Sequence, residues 1–429
     1  MRFRTAVALA CLIVLTPLPH PSEAKTKEPK EPVEASPSAN LYKELDLFTK
    51  VLNLVEEGYV DNPNDRDMVY GAIRGLLSTL DPHSVFMTPD AYRELKVDTE
   101  GRFGGVGIEV TVKNNVLTVV TAIEGSPAEK AGVKEGDRIL KIDGISTKDI
   151  GLTEAVRRMR GSRGAKVHLT LLREGHSEPI EVFLKRDTIR IKSVRADPPE
   201  DGYGYVRISS FQEDTSEELK KALDGLEKKN KGPLKGLLLD LRNNPGGLLD
   251  EAVDVSDFFL ESGTIVTTAT RNHEVDRRTA AKDGSEPSYP VIVLVNGGSA
   301  SAAEIVAGAL QDQKRAVLLG TQTFGKGTVQ TIFELGDGAA LKLTVAKYYT
   351  PKGRSIQAQG IRPDIIVPAQ KPRARAAKDR SLKGKEPETR KSPDSEKSPE
   401  KSEDEDYQRQ VALDRLKSWQ DFDKPRRRP

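Results

Sequence analysis

The sequence predicts an α/β protein of several domains, and three observations carry that reading. The apolar runs in KGLLLDL (235–241), in Val291–Val295 and in AVLLG (316–320) have the length and composition of strands buried on both faces. Helical-period segments alternate with them, DTSEELKKALDGLEKK from Asp214 and a run from Ala302 to Leu310, which is the pattern of helices laid on a sheet. The chain has 429 residues, 36% hydrophobic and 31% charged, enough for two or three domains.

Taken from its start, the chain opens with Arg2 and Arg4 ahead of an apolar run from Ala6 to Leu15. Pro17, Pro19, Pro21 and Ser22-Glu23-Ala24 follow. This is the layout of an export signal, residues 1–24, cleaved after Ala24. Its apolar run is short of the roughly 20 residues a membrane span needs. No second long apolar run occurs, so membrane contact is at most peripheral. Residues 25–40, rich in Lys, Glu and Pro, read as a linker. Leu41, Leu45, Phe48, Leu52 and Val55 then recur at helical spacing, and a second helical segment runs from Met68 to Leu80 before the turn Asp81-Pro82-His83-Ser84. Residues 41–99 are therefore an N-terminal helical region.

Residues 100–187 form the next unit. Gly104, Gly105 and Gly107 open the strand VGIEVTV, Asn114-Asn115 turns it back into VLTVV, and Ser126 with Pro127 starts a short helix. RILKIDG is a strand, LTEAVRRMRG is an amphipathic helix closed by Gly161, and strands at 166–173 and 179–185 end the unit. Residues 188–370 hold the α/β core: the strand YGYVRIS, a helix capped by Asp214 or Thr215, the strand KGLLLDL, and the tight turn Arg242–Gly247 before another helix. Residues 371–429 are a charged tail. Its Lys, Glu, Ser and Pro content to Ser402 reads as disorder, and a short helix at 406–419 carries apolar Val411, Leu413 and Leu416.

The chemistry concentrates between Val291 and Leu335. Val291–Val295 opens into a loop with Ser301, and the run AVLLG opens into a loop with Lys326. These two residues are the candidate nucleophile and base. Each has a plainer reading. Ser301, three residues before Glu304, is a capping box. Gly320–Lys326 matches most of a phosphate-cradling loop, but Gly327 stands where magnesium needs Ser or Thr, and β-rich TVQTIFEL follows in place of a helix. Elimination favours the pair. The sole cysteine, Cys11, lies in the leader, and none of His20, His83, His168, His176 and His273 follows Ser301 or shows ligand spacing. No metal or cofactor is called for, and lysine is the base left. A formal net charge of +2 gives no electrostatic footprint for nucleic acid.

FGGVGIE (103–109), SPAEKAGVKEGDRILKIDG (126–144), DLRNNPGGLL (240–249), NGGSASAAEI (296–305), GTQTFGKGTVQ (320–330) and YYTPKGRSIQAQGIRPD (348–364) together resemble the carboxyl-terminal processing, or tail-specific, proteases, which are PDZ-containing serine peptidases. The resemblance covers most of residues 41–368 in family order. Ala303 stands where family members often carry Ser; the matched nucleophile remains Ser301.

The resemblance implies a crotonase-like α/β protease core, with 100–187 inserted as a PDZ domain after the helical N-terminal region. It implies peptide hydrolysis through an acyl-enzyme, with Ser301 as nucleophile, Lys326 as base and Gln330 orienting the lysine. The N–H groups of Gly247 and Ala302 become the oxyanion donors. Gly105, Val106, Gly107 and Ile108 become the loop that holds a peptide's terminal carboxylate while the peptide adds as a strand. Substrates with apolar C-termini and homo-oligomers follow from the same likeness; Arg160 as a contact through which a bound peptide switches the enzyme on, an adaptor protein, and a periplasmic location inferred from export are further expectations. The standing alternative is a PDZ adaptor or holdase on an inactive protease-like scaffold.

Two physical demands come with this assignment. Lys326 must give up a proton held at pKa about 10.4 in free lysine; burial between apolar strands without a carboxylate partner lowers it. Gln330 is four residues on, about 13 Å away along a straight strand, so the segment is expected not to be a straight strand there. Glu304 is assigned to capping alone.

Overall fold

The computed structural model describes residues 39–370, except positions 149, 274 and 285, together with 406–423. The expected export signal, the linker up to residue 38 and the tail from 371 to 405 lie outside the described residues.

The chain divides into two compact units, Met1–Gly71 and Ala72–Pro429. In the first, α1 (Ala39–Gly58) is the helix expected from the spacing of Leu41 onward, and Leu41, Leu45 and Phe48 are exposed along it. The next helix, α2 (Asp65–Ser78), starts on Asn64, whose side chain accepts from Asp67 N at 3.2 Å.

In the second unit β1 (Val85–Met87) leads into a helix that the pattern did not announce, α3 (Pro89–Glu100). Its ends are conventional: Thr88 caps it, Pro89 begins it, and Gly101 at φ 65° ends it. Then come β2 (Arg102–Gly105), β3 (Ile108–Lys113), β4 (Val116–Ala122), α4 (Pro127–Lys130), β5 (Arg138–Ile142), β6 (Ile145–Ser146), α5 (Leu152–Met159), β7 (Lys166–Leu172), β8 (Ile180–Lys185) and β9 (Asp187–Arg190). The sheet order is β3-β4-β5-β7-β8, with β6 on β5. Its own core includes Val119, Ile139, Ile142 and Leu169. The β3–β4 turn has Asn114 and Asn115 at φ 51° and 59°, as a two-residue hairpin turn requires. β2 pairs antiparallel with β9, so the chain enters and leaves this domain at adjacent points, as an insertion must.

The core continues with β10 (Val194–Glu200), β11 (Tyr203–Ile208), α6 (Thr215–Asn230), β12 (Gly236–Asp240), α7 (Leu249–Phe259), β13 (Ser262–Thr270), β14 (Val275–Ala281), β15 (Val291–Val295), α8 (Ala302–Asp312), β16 (Ala316–Gly320), β17 (Thr328–Glu334), β18 (Ala340–Tyr349), β19 (Ile365–Ile366) and α9 (Tyr407–Asp423). The main sheet runs β10-β11-β12-β15-β16-β19 and is parallel from β11 to β19. Side chains alternate across it. Leu237, Leu239, Val291, Val293 and Leu318 join the apolar cluster with α6, α7 and α8. Leu238, Ile292, Leu294 and Leu319 join a second cluster that α9 completes with Ala412 and Leu416. This double burial is why these strands read as unbroken apolar runs. A second, antiparallel sheet runs β1-β18-β13-β14, with β17 also on β18.

One expectation is corrected. Asp214 holds the N-cap position of α6 but sits at φ 67°, and its side chain caps nothing. A capping side chain needs an extended backbone to reach the N2 and N3 amides. Glu251 of α7 instead accepts from Asp214 N and Ser216 N, at 3.1 and 2.8 Å.

Candidate active site

Parallel strands carry their following loops to one edge of the sheet. The loops after β12, β15 and β16 therefore emerge together, and they hold Gly247, Ser301 and Lys326. Side-chain and backbone hydrogen bonds lock the first two loops to each other. Asn296 Nδ2 donates to Asn243 Oδ1 at 2.9 Å, Asn243 N donates to Asn296 Oδ1 at 2.9 Å, and Ala300 N donates to Asn244 O at 2.9 Å.

Ser301 lies at the junction of the β15 loop and α8 with φ 54° and ψ −116°. A non-glycine residue there is strained, and a strand–turn–helix corner of this kind lifts a side chain clear of its neighbours. Its hydroxyl neighbours the Tyr348 phenol, whose pKa is raised by burial and only partly drawn back by the serine. The Tyr348 hydroxyl in turn donates to the Lys326 carbonyl. Tyr348 belongs to the quoted YYTPKGRS stretch, but no residue-level signal distinguished it from a core tyrosine.

Glu304 does more than cap. The carboxylate is fully buried and accepts from Ser301 N at 2.9 Å, Lys326 N at 2.8 Å, Gly325 N at 2.7 Å and Thr323 Oγ1 at 2.5 Å. One carboxylate thus fastens the lysine loop to the start of the serine helix. Gly327 permits the close approach behind it: a Cβ there would lie 2.4 Å from Gln357 N.

Lys326 is half-buried, and its pKa is lowered from the ordinary lysine value, first by desolvation and then by the positive charge of Lys342. Glu304 opposes the shift. Among the described residues Lys326 makes no ion pair, and neither the nearby Glu304 carboxylate nor the helping Lys342 was foreseen. Glu304 spends its oxygens on backbone N–H groups and a hydroxyl, so it does not pair with the amine.

Ser301, Ala302, Gly247, Lys326, Gln330 and Tyr348 share one cleft of about 560 Å³ with the apolar side chains of Phe211, Leu248 and Ile305. Gly247 is held at φ 145° against Phe211; a Cβ there would meet Phe211 O at 2.0 Å. Leu248 N donates to Phe211 O and Phe211 N to Gly246 O, at 2.8 and 2.9 Å. The N–H groups of Gly247 and Ala302 donate to no other described residue. Ala302 is the first residue of α8, where unpaired amides and the helix dipole favour negative charge.

Gln330 lines the same cleft, and Lys326 precedes β17, which starts at Thr328 and is bulged between Val329 and Gln330. The segment is thus not a straight strand. The Gln330 amide nitrogen donates to Thr328 Oγ1 at 2.9 Å, Thr328 O at 3.2 Å and Thr344 Oγ1 at 3.3 Å rather than to Lys326.

A second groove of about 230 Å³ lies between β3 and α5, lined by Gly105, Val106, Gly107 and Ile108 at one end and by Val110, Val156 and Met159 along it. Gly107 has φ 77°, and a Cβ there would lie 2.3 Å from Ser126 Cβ. The Val106 and Gly107 carbonyls accept from Ala128 N and Ile123 N, at 3.0 and 2.9 Å. Arg160 lines the groove too, its guanidinium 5.0 Å from the Phe103 ring centroid.

Comparison with known proteins places this geometry. Residues 202–367 match the model of peptidase family S41, residues 118–173 match a PDZ domain model, and residues 14–91 match the activating protease CtpB N-terminal domain. The carboxy-terminal-processing protease of Bartonella bacilliformis is 48% identical over 330 residues, 76% of either chain. The carboxyl-terminal-processing protease of Synechocystis sp. is 42% identical over 322 residues, 73% of this chain and 74% of that one. The carboxy-terminal processing protease CtpA of Bacillus subtilis is 40% identical over 322 residues, 75% of this chain and 68% of that one.

Proposed function

This chain belongs to the carboxy-terminal processing proteases of peptidase family S41, with a PDZ domain beside the peptidase core, and from that premise we propose that it cleaves peptide bonds with Ser301 as nucleophile and Lys326 as general base. The observation that carries the proposal is the cleft itself. It joins Ser301, on a strained corner, to a half-buried lysine of lowered pKa and to two unpaired backbone donors.

A serine hydroxyl needs a base to attack a carbonyl. Lys326 in its neutral form takes the proton as the Ser301 Oγ–C bond forms. The carbonyl oxygen becomes an anion, received by the N–H groups of Gly247 and Ala302; removing one such donor from a hydrolase costs about 10²- to 10³-fold. Collapse of the tetrahedral intermediate expels the amine, which takes the proton back from Lys326. Water then attacks the acyl-enzyme by the reverse sequence. Gln330 holds the lysine amine in line.

Specificity is assigned to the groove between β3 and α5. A substrate C-terminus adds as a strand to β3, its carboxylate held by the Gly105–Ile108 loop and its apolar side chain set between Val156 and Met159. Arg160 is the contact through which occupancy reaches the core. The pattern of the first 24 residues supports export, and a periplasmic location is our extension of it. The exposed apolar residues of α1 support assembly with further copies; an adaptor remains a proposal.

The test is cleavage of an unfolded protein ending in apolar residues by wild type, Ser301→Ala and Lys326→Ala. Activity in wild type and its loss in both folded variants is the expected result. Normal cleavage by Lys326→Ala would overturn the mechanism. Cleavage by both variants would overturn the site.

A further inference from the structure

The turn Asp81-Pro82-His83-Ser84 is far from the catalytic loops in sequence, yet it is bound to the strand behind them. Asp81 Oδ1 accepts from His83 N at 2.7 Å, Ser84 N at 2.9 Å and Thr344 Oγ1 at 3.3 Å, and Asp81 Oδ2 accepts from Ser84 Oγ at 2.7 Å. Ser84 Oγ also accepts from Thr344 N at 3.1 Å. The turn therefore grips Thr344 by both its amide and its hydroxyl. Ser84 is buried, and β1 immediately after it pairs with β18, Val85 opposite Lys342. Thr344 Oγ1 is also where the Gln330 amide nitrogen ends, at 3.3 Å.

The direction of these bonds matters more than their number. A carboxylate only accepts, and a threonine hydroxyl has one proton. With that proton committed to Asp81, Thr344 Oγ1 presents only lone pairs to Gln330. The Gln330 group facing Thr344 must then be its NH₂ end, which agrees with its donation to the Thr328 carbonyl at 3.2 Å. The amide oxygen is left as the end turned away from both threonines. It accepts from no described residue, and Gln330 lines the cleft with Lys326.

We infer that Asp81, acting through the Thr344 hydroxyl, joins the Thr328 carbonyl in setting which end of the Gln330 amide is offered to Lys326, so that Asp81 and Thr344 are positioning residues of the peptidase. The inference rests on the Ser301–Lys326–Gln330 reading above. An amide oxygen accepts from the lysine amine and leaves its lone pair free; an amide NH₂ in its place would donate to that lone pair and occupy it. Asp81 is suited to the task because it stays charged. Burial pushes its carboxyl upward, but the hydrogen bonds from the Ser84 hydroxyl and from the His83 and Ser84 amides outweigh that, and its pKa is lowered. The groups that act on Lys326 itself are Lys342 from β18 and Glu304 from α8.

The test compares Thr344→Val, which keeps a branched side chain suited to a strand, with Thr344→Ser, which keeps the hydroxyl, each alone and in a Gln330→Ala background. Thr344→Val is expected to lower kcat about tenfold with KM little changed, and to move the acidic limb of kcat/KM to lower pH as the lysine ammonium loses its acceptor. Thr344→Ser restores both. In Gln330→Ala enzyme, Thr344→Val has no further effect, as the double-mutant cycle requires for action through one residue. Asp81→Asn, which can donate to Thr344 and release its proton, reproduces part of the Thr344→Val defect. A folded Thr344→Val enzyme with wild-type kcat and pH profile overturns the inference, and so does an equal loss from Thr344→Val in the Gln330→Ala background. If Gln330→Ala is itself fully active, the role of Gln330 falls and this inference with it, whereas the Ser301→Ala and Lys326→Ala results bear on the catalytic pair alone.

Discussion

Glu304→Gln changes one oxygen to NH₂ at a site with no access to water, and its effect follows from counting donors. Oε2 accepts from Ser301 N and Lys326 N at 2.9 and 2.8 Å, and Oε1 from Gly325 N and Thr323 Oγ1 at 2.7 and 2.5 Å. A glutamine offers one acceptor end. If its oxygen takes the Oε2 place, Gly325 N–H faces an NH₂ and loses its partner. Thr323 cannot compensate cleanly, because its hydroxyl oxygen already accepts from Ile361 N at 2.6 Å. If the amide turns over, the N–H groups of Ser301 and Lys326 are both orphaned. The first arrangement is cheaper. One orphaned buried donor costs about 1–3 kcal/mol, and donor–donor crowding adds to it, so we expect a loss of about 2–4 kcal/mol. The loops that shift to relieve it are the two that carry nucleophile and base, and a displacement of about 1 Å there costs about 10²-fold in rate. The denaturant midpoint and the rate of Ser301 modification by a fluorophosphonate report the two effects separately. A Glu304→Gln protein with the wild-type midpoint and modification rate would refute the idea that this carboxylate holds the loops together.

Three further outcomes are expected. Lys342→Met removes a positive charge that helps lower the Lys326 pKa, so the neutral base forms at higher pH and the acidic limb of kcat/KM moves upward; a limb unmoved or moved down would contradict the attribution. Gly247→Ala forces a Cβ to within 2.0 Å of Phe211 O at a backbone φ of 145°, so the two segments must part; kcat should fall at least about 10²-fold as the Gly247 donor is displaced, and a crystal structure of the variant with the turn unmoved would contradict this. Asp406→Asn loosens α9. Burial raises the Asp406 carboxyl but the Arg242 guanidinium more than offsets this, leaving its pKa lowered; its stabilisation is therefore full above the ordinary carboxylate range and is lost as pH falls through the folded-state value. The group is partly exposed, so thermal unfolding should show about 1 kcal/mol lost near neutrality, with the gap to wild type closing in strong acid.

How much of this could be read from sequence depended on whether a residue's work was local. The apolar runs of β12, β15 and β16 announce themselves because each is buried on both faces, and the glycines that follow them mark loops whatever the loops do. Ser301 and Lys326 stood out by elimination of thiol and imidazole. β13 and β14 were silent: VDRRTAA is largely exposed, and SGTIVTTAT buries only the adjacent Ile265 and Val266, so no apolar period is enforced on either strand. α3 was silent for a related reason, since none of its residues is buried. The misplaced cap on α6 shows the opposite failure. Asp214 has the right identity at the right position, and only a left-handed backbone, set by contacts with Glu251 on another helix, denies it the role. The parts of the site that went unread share this cause. Lys342, Tyr348, Thr344 and Asp81 act across the second sheet, on residues 14 to more than 240 positions away, through contacts that nothing in their immediate neighbours encodes. Glu304 is the instructive middle case. Its spacing from Ser301 correctly gave it a cap, yet the same carboxylate reaches Gly325 and Lys326 only because parallel β15 and β16 deliver both loops to one edge. A sequence motif can thus name a hydrogen-bonding group and one of its partners, while its remaining partners are set by strand order.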